Sequence, residues 1–380
     1  MLHTQKQKIK KVKKRFKNIK KFDIPEVPHE LVVRAKLQQY KVWEGKNWSQ
    51  DDPCITLTWD DPGYGKDGLV VEPKRMVEDA EYDLEVQLRG VRRKIEMLEA
   101  GSTGPGSFPT LNLIHYGTGP ISTAFGSEMI MQTGIQPHFE PATHDAEDVL
   151  KMEKPDLFRG GWLGAILDRI EFFNEATQGK LPIAISDNAG PWSIATSVWH
   201  YEDMLEGIYT CPEAVHHLLK LVTEAIMEVD EIQMETARNA WGIYGDTMAG
   251  GYLPRGAGVG DDVMVTVSTP MWKEFFLPYN QMISQKYGGI VYHCCMKHDW
   301  HLKAMSETPG FLGFDADPAY NDHNLIEEAL TGRGVWNRNV WDREQAKKFR
   351  GKFGFFLQAH GDTKEAALEN SKKLMEHIHS

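Results

Sequence analysis

The chain has 380 residues, 41% of them hydrophobic and 26% charged, with four cysteines and a net charge of −11 at pH 7. That length suits one large α/β barrel or two ordinary domains, and the acidic balance argues against a nucleic-acid groove or a polyanionic substrate. No apolar run is long enough to span a bilayer, no secretory h-region opens the chain, and so few cysteines make no disulfide framework; a cytoplasmic location is expected.

Residues 1–21 hold ten Lys or Arg and no acid. Ile9, Val12, Phe16, Ile19 and Phe22 recur every three or four positions, which predicts an apolar helical stripe packed on the acidic body. Docking to an acidic partner or an anionic membrane surface is the alternative use. Pro25 and Pro28 end this segment. Residues 46–76 are rich in Asp, Gly and Pro and read as surface loop, with one strand candidate at 55–59. A helical pattern over about 80–100 stops at Gly101. The turn-rich stretch 101–107 divides an N-terminal elaboration (1–105) from the main fold (106–380).

Strand candidates then follow at 111–116, 183–186, 242–244, 263–267, 289–293, 311–314, 334–336 and 353–357. Helices alternate with them. One begins at Thr210 with Pro212 just inside it and keeps Val215, Leu218, Leu219, Val222, Ile226 and Val229 on one face. Another begins at Ser268 and stops at Gly288. The last starts near Lys364. About eight short strands alternating with helices predict a (β/α)₈ TIM barrel with an N-terminal helical and loop extension. No GxGxxG follows the first strand and no Walker A run exists, which argues against nucleotide-binding folds.

Barrel chemistry sits at the C-terminal ends of strands. The polar residues there are His115 and Tyr116, Asp187 and Asn188, Asp246, Asp261 and Asp262, His293 and Cys295, Asp315 and Asp317, Asn337, and His360. The run Val291-Tyr-His-Cys-Cys-Met296 is the most informative. Alternation along a strand puts His293 and Cys295 on one face and Cys294 on the other, and an imidazole with a thiolate can fill two corners of a zinc site. A hydrogen-bonded core histidine and a buried free cysteine account for the same residues. His360, after the last strand, is the third ligand candidate; its competing role is to cap the following helix. Asp246, Asp261 and Asp262 are candidates for general-base work or for orienting a ligand, with ordinary turn chemistry as the alternative.

Four stretches resemble the uroporphyrinogen decarboxylase-like superfamily, which includes the corrinoid-dependent methyltransferases. They are Asp187-Asn-Ala-Gly-Pro-Trp-Ser-Ile-Ala with Tyr201-Glu-Asp-Met-Leu, then Gly260-Asp-Asp with Ser268-Thr-Pro-Met-Trp-Lys-Glu-Phe-Phe-Leu-Pro-Tyr, then Tyr292-His-Cys-Cys, and Leu357-Gln-Ala-His-Gly with Leu368-Glu-Asn. The resemblance implies a barrel with its site at the strand C-termini. The Arg-rich block by which decarboxylases grip porphyrinogen carboxylates is absent from 22–100, and the acid that follows their first barrel strand is replaced by His115-Tyr-Gly-Thr-Gly. The resemblance therefore points to the methyltransferase branch, whose zinc is held by His-x-Cys and a later Cys. His293 and Cys295 match the pair, and His360 stands near the place of the later Cys. It implies Zn²⁺, a corrinoid (methylcobalamin) carried by a separate small corrinoid-binding protein, and a small methyl donor or acceptor. Among the strand-end and aromatic residues, His115, Asp246 and Asp262 are the catalytic candidates and Tyr116, Asn188, Trp192 and Asn337 the candidates for a cofactor face, with helix-core packing the alternative for the aromatic ones. A metal-free lyase acting on a small carboxylic acid or tetrapyrrole, and a non-catalytic cofactor-binding barrel, are the competing readings.

Overall fold

In the computed structural model the described residues are 16, 19–45, 48, 54–60, 71–132, 135–187, 189–238, 252–340 and 342–380. Asp246, Asn188, the strand candidate at 242–244, Ile9, Val12 and most of the basic segment 1–21 lie outside them. Phe16, Ile19 and Phe22 of that stripe pack on the main core, with the Phe16 ring edge-on to Phe172.

Six parallel strands form one sheet in the order β1-β8-β7-β6-β5-β4, where β1 is Ile55–Trp59, β4 Ala257–Gly260, β5 Ile290–Cys294, β6 Phe311–Ala316, β7 Val335–Val340 and β8 Gly354–Gly361. The short strands β2 (Glu128–Ile130) and β3 (His138–Glu140) make a separate antiparallel pair. Helices Asp299–Ser306, His323–Leu330 and Arg343–Phe349 connect β5 through β8. One crossover helix between parallel neighbours is the (β/α) barrel arrangement expected from the alternation. Strand β1 pairs with β8 along its whole length, so the sheet takes a strand from the N-terminal region.

Local chemistry explains the helix limits. Asp79 accepts from the backbone N–H groups of Glu81 and Tyr82 to start helix Ala80–Glu99. Helix Pro212–Ala237 runs 26 residues and buries every apolar position named above. Ser268 caps helix Thr269–Phe275, and Pro278, which has no N–H to give back, separates it from helix Leu277–Tyr287. Gly288, at φ +81°, ends that second helix.

Three strand expectations change, one of them at 183–186, where only Ile183 bridges. The apolar run 263–267 is a 3₁₀ turn, Asp262–Thr266, and the strand precedes it at Ala257–Gly260. Tertiary anchoring of Asp261 forces the chain to turn there and overrides the β-branched composition. In 111–116 only Leu111 bridges, to Ile183, and Ile114–Tyr116 is a 3₁₀ turn.

The sheet has two apolar faces. Tyr292, Phe314, Trp336 and Phe355 join the large core beneath the helices. Val291, Leu312, Val335, Phe356 and Cys54 form a second cluster with Val42 and Trp43 of helix His29–Trp43. That helix closes the N-terminal end of the strands and leaves the C-terminal ends for chemistry.

A buried charge network fastens helix Ala80–Glu99 to the rest. Asp83 is fully buried, pairs with Arg169 and lies 3.1 Å from His115 Nε2. Arg169 also donates to the carbonyls of Met76 and Val77. Removing one member of a buried pair strands the other, so Asp83→Ala should lower stability by about 3–5 kcal/mol in urea denaturation, with His115→Gln costing clearly less.

Candidate functional site

Strand β5 carries the centre. Its pleat buries Cys294 with Tyr292 under the helices, and leaves Val291 and His293 on the inner face. Cys295, one residue past the strand, is exposed.

The β5–β6 register sets His293 opposite Asp315. Asp315 Oδ2 lies 2.9 Å from His293 Nδ1, and the other Asp315 oxygen pairs with Arg338 from β7. A carboxylate acceptor puts the proton on Nδ1 and leaves Nε2 as a donor of electrons. Nε2 faces Cys295 Sγ at 3.1 Å. Asp262 Oδ1 accepts from the Cys295 backbone N–H at 2.7 Å. Ligand atoms of Asp262, His293 and Cys295 all lie within 4.8 Å of one another. Burial first, and then the Asp262 carboxylate, push the Cys295 thiol up to about 11, with Arg338 opposing. The cluster thus has two carboxylates, one guanidinium and a protonated thiol, and its donor set fits a borderline divalent cation. A tetrahedral zinc with ordinary bond lengths keeps N and S about 3.5 Å apart, a small rotation from the distance seen.

The remaining expected residues fall elsewhere. His360 does not reach the cluster. It lies on β8, separated from β5 by β6 and β7, and its exposed ring sits 3.2 Å from Thr58 Oγ1 and 3.7 Å from Asp60 on the β1 side. His115 belongs to the buried Asp83–Arg169 network. Tyr116 is buried against His115 and Trp162, and burial pushes its hydroxyl up to about 12. Trp192 is fully buried, stacks on Phe276 and donates to the Phe275 carbonyl, the core-packing role. Asn337 is buried in β7, inside the register shift between Trp336 and Asn339.

Two positioning groups were not assigned from sequence. Asp315 ends an apolar run and was visible as a strand-end acid, but its role needs the β5–β6 register. Arg338 lies in a strand that runs four residues beyond the apolar stretch that suggested it. Asp261 is the other anchor. It is fully buried, accepts from Ser193 N–H at 2.9 Å at the start of helix Pro191–Val198, and burial raises its carboxyl to about 7. A Cβ on Gly190 would sit 2.5 Å from that carboxylate. The Gly-Pro-aromatic start and the Asp-Asp pair are therefore one interlocked feature.

A model of the uroporphyrinogen decarboxylase (URO-D) family matches residues 118–333. The chain belongs to that family. The matched span contains Asp261, Asp262, His293, Cys295 and Asp315. The chain is similar to the uroporphyrinogen decarboxylase of Hydrogenovibrio crunogenus, with 28% identity over 141 residues, 36% of this chain and 39% of that protein. It is also similar to the uroporphyrinogen decarboxylase of Xanthomonas campestris, with 24% identity over 172 residues, 44% and 43% of the two chains. These alignments thus span about two fifths of the curated relatives. A methyltransferase from Methanosarcina mazei shares the fold at TM-score 0.57 and 17% identity, covering 91% of this chain and 98% of that one.

Two outcomes test how this URO-D-family rim is built. Gly190→Ala should cost about 1–3 kcal/mol by overpacking, and the combined Gly190→Ala/Asp261→Ala protein should lose less than the two single losses together in denaturant titrations. His301, buried, lies 3.0 Å from the Met264 carbonyl and so ties the turn carrying Asp262 to helix Asp299–Ser306. Burial lowers its pKa to about 4 from an ordinary 6.5. The unfolded chain then binds the extra proton, so this group's stabilisation is complete above pH 6.5 and is lost as pH falls toward 4. His301→Gln should flatten that acid limb by an amount on the order of 3 kcal/mol in pH-dependent denaturation.

Proposed function

We propose that this protein is a zinc-dependent methyltransferase that moves a methyl group between a corrinoid and a small thiol or methylated substrate. The observation that carries the reading is the convergence of Asp262, His293 and Cys295 at the rim, with Asp315 holding the far side of the imidazole. Residue chemistry supports zinc over magnesium or calcium, because an imidazole and a sulfur are poor ligands for hard cations. Zinc, when bound, supplies Lewis acidity that lowers the pKa of a substrate thiol or polarises a methyl-bearing oxygen.

The chain's own groups have separable tasks. Asp315 keeps the proton on Nδ1 of His293, and Arg338 balances the Asp315 charge. Asp262 supplies the third donor and orients the Cys295 backbone. Asp261 and Gly190 hold the turn that presents Asp262. The corrinoid is supplied by a small partner protein docked over the strand C-termini, in a cytoplasmic setting. Asp246, Asn188 and Asn337 remain candidates for contacting the reactants.

A second reading is favoured by the decarboxylase relatives: a metal-free lyase acting on a small carboxylic acid. The two separate cleanly. Cobalt loading should give a thiolate-to-cobalt absorption in the near ultraviolet, absent in Cys295→Ala and retained in Cys294→Ala and His360→Ala. The zinc-loaded wild type should transfer methyl from free methylcobalamin to a small thiol, with Cys295→Ala falling at least 100-fold. An absorption that survives in Cys295→Ala, or carbon dioxide release by metal-stripped protein, would sink the methyltransferase reading.

A further inference from the structure

A second trio of donors lies in the helical layer, on other elements than the rim cluster. His144, His200 and Asp203 each offer a ligand atom, and these atoms lie within 4.8 Å of one another. We propose that they form a distinct site for a borderline divalent cation of the zinc class.

The platform is built before any ion arrives. Thr143 forms a parallel bridge with Trp199, and the His200 N–H donates to the Thr143 carbonyl at 3.0 Å. The Ala142 N–H likewise donates to the Val198 carbonyl at 2.8 Å. Trp199 is buried, and its indole N–H donates to the His144 carbonyl. The backbones bearing the two imidazoles are thereby fixed side by side. His200 stands at the N-cap of helix Tyr201–Thr210 and Asp203 three residues on, so both project from one face of its first turn.

The side chains then converge without a capping purpose. An acid three residues after an N-cap ordinarily reaches back to the N-cap amide, but that amide is already committed to Thr143. Asp203 turns its carboxylate toward the rings. Oδ2 lies 2.7 Å from His144 Nδ1 and 3.2 Å from His200 Nδ1. The second contact lacks hydrogen-bond geometry, and His200 Nδ1 is shielded from water with no hydrogen-bond partner. A buried ring nitrogen left in that state is costly, and a cation between the three donors would satisfy it. The imidazoles stack with centroids 4.4 Å apart at 29°.

Two imidazoles and one carboxylate select the zinc, nickel or cobalt class over calcium or magnesium. The trio has no thiolate, and His144 is 69% exposed, so a fourth position opens to solvent. An ion there would clamp the 141–145 segment to the start of helix Tyr201–Thr210.

The test uses the full chain with zinc alone as probe, in equilibrium dialysis with metal analysis. Cys295→Ala removes the rim cluster and should still bind about one zinc, and Cys295→Ala/His200→Ala should bind none. Zinc should raise the thermal midpoint of Cys295→Ala, and the increment should vanish with either His200→Ala or Asp203→Asn. Cobalt in Cys295→Ala should give a visible d–d spectrum without thiolate absorption. No zinc on Cys295→Ala, or equal zinc on the double variant, overturns the proposal. The site is independent of the rim reading: if the rim binds nothing, the wild type holds one zinc that depends on His200 and not on Cys295.

Discussion

One pairing organises the rim. The register between β5 and β6 sets the Asp315 carboxylate opposite the His293 imidazole, and everything about the cluster's chemistry follows from that alignment. A slip of one residue would turn His293 into the helix core and bring Cys294 to the inner face. The register is itself secured from the apolar side, where Tyr292 and Phe314 pack beneath the helices and Val291 and Leu312 pack toward helix His29–Trp43. Hydrophobic burial on both faces thus decides which nitrogen of one imidazole is available.

Charge balance completes the arrangement. Asp315 and Asp262 bring negative charge beside the Cys295 thiol, and Arg338 offsets one of the two. A bound cation would reverse that balance and stabilise the thiolate. Below this layer Asp261 takes no part in ligation. Its carboxylate fills the space that a side chain at position 190 would occupy and accepts from the helix that follows, so that adjacent acids divide into a buried brace and an exposed donor.

Much of this was legible in the amino-acid order. Alternation along 290–294 separated Cys294 from His293, and strand-helix alternation indicated the barrel. The Ser268 cap, the Gly288 stop and the long helix after Pro212 follow from local rules. What the amino-acid order left open is which distant partner each residue meets. His360 follows an apolar run, as a rim ligand should, but it lies within β8 and its neighbour is Thr58 of β1. His115 and Trp192 occupy the same kind of position and are claimed by a buried ion network and an aromatic stack. The run 263–267 has strand composition, yet the anchoring of Asp261 turns the chain before it can extend. Asp315 and Arg338 gained their roles only when register and strand length were known.

Helix His29–Trp43 places Val42 and Trp43 against Phe356, Val335 and Cys54 at the foot of the strands. A vessel stoppered at its base has a single threshold. Any two reactants that meet at its lip must cross the same ground. Were the proposed carrier to seat there, it would hinder the smaller molecule from slipping in or out, and the stopper would make order of arrival part of the kinetics.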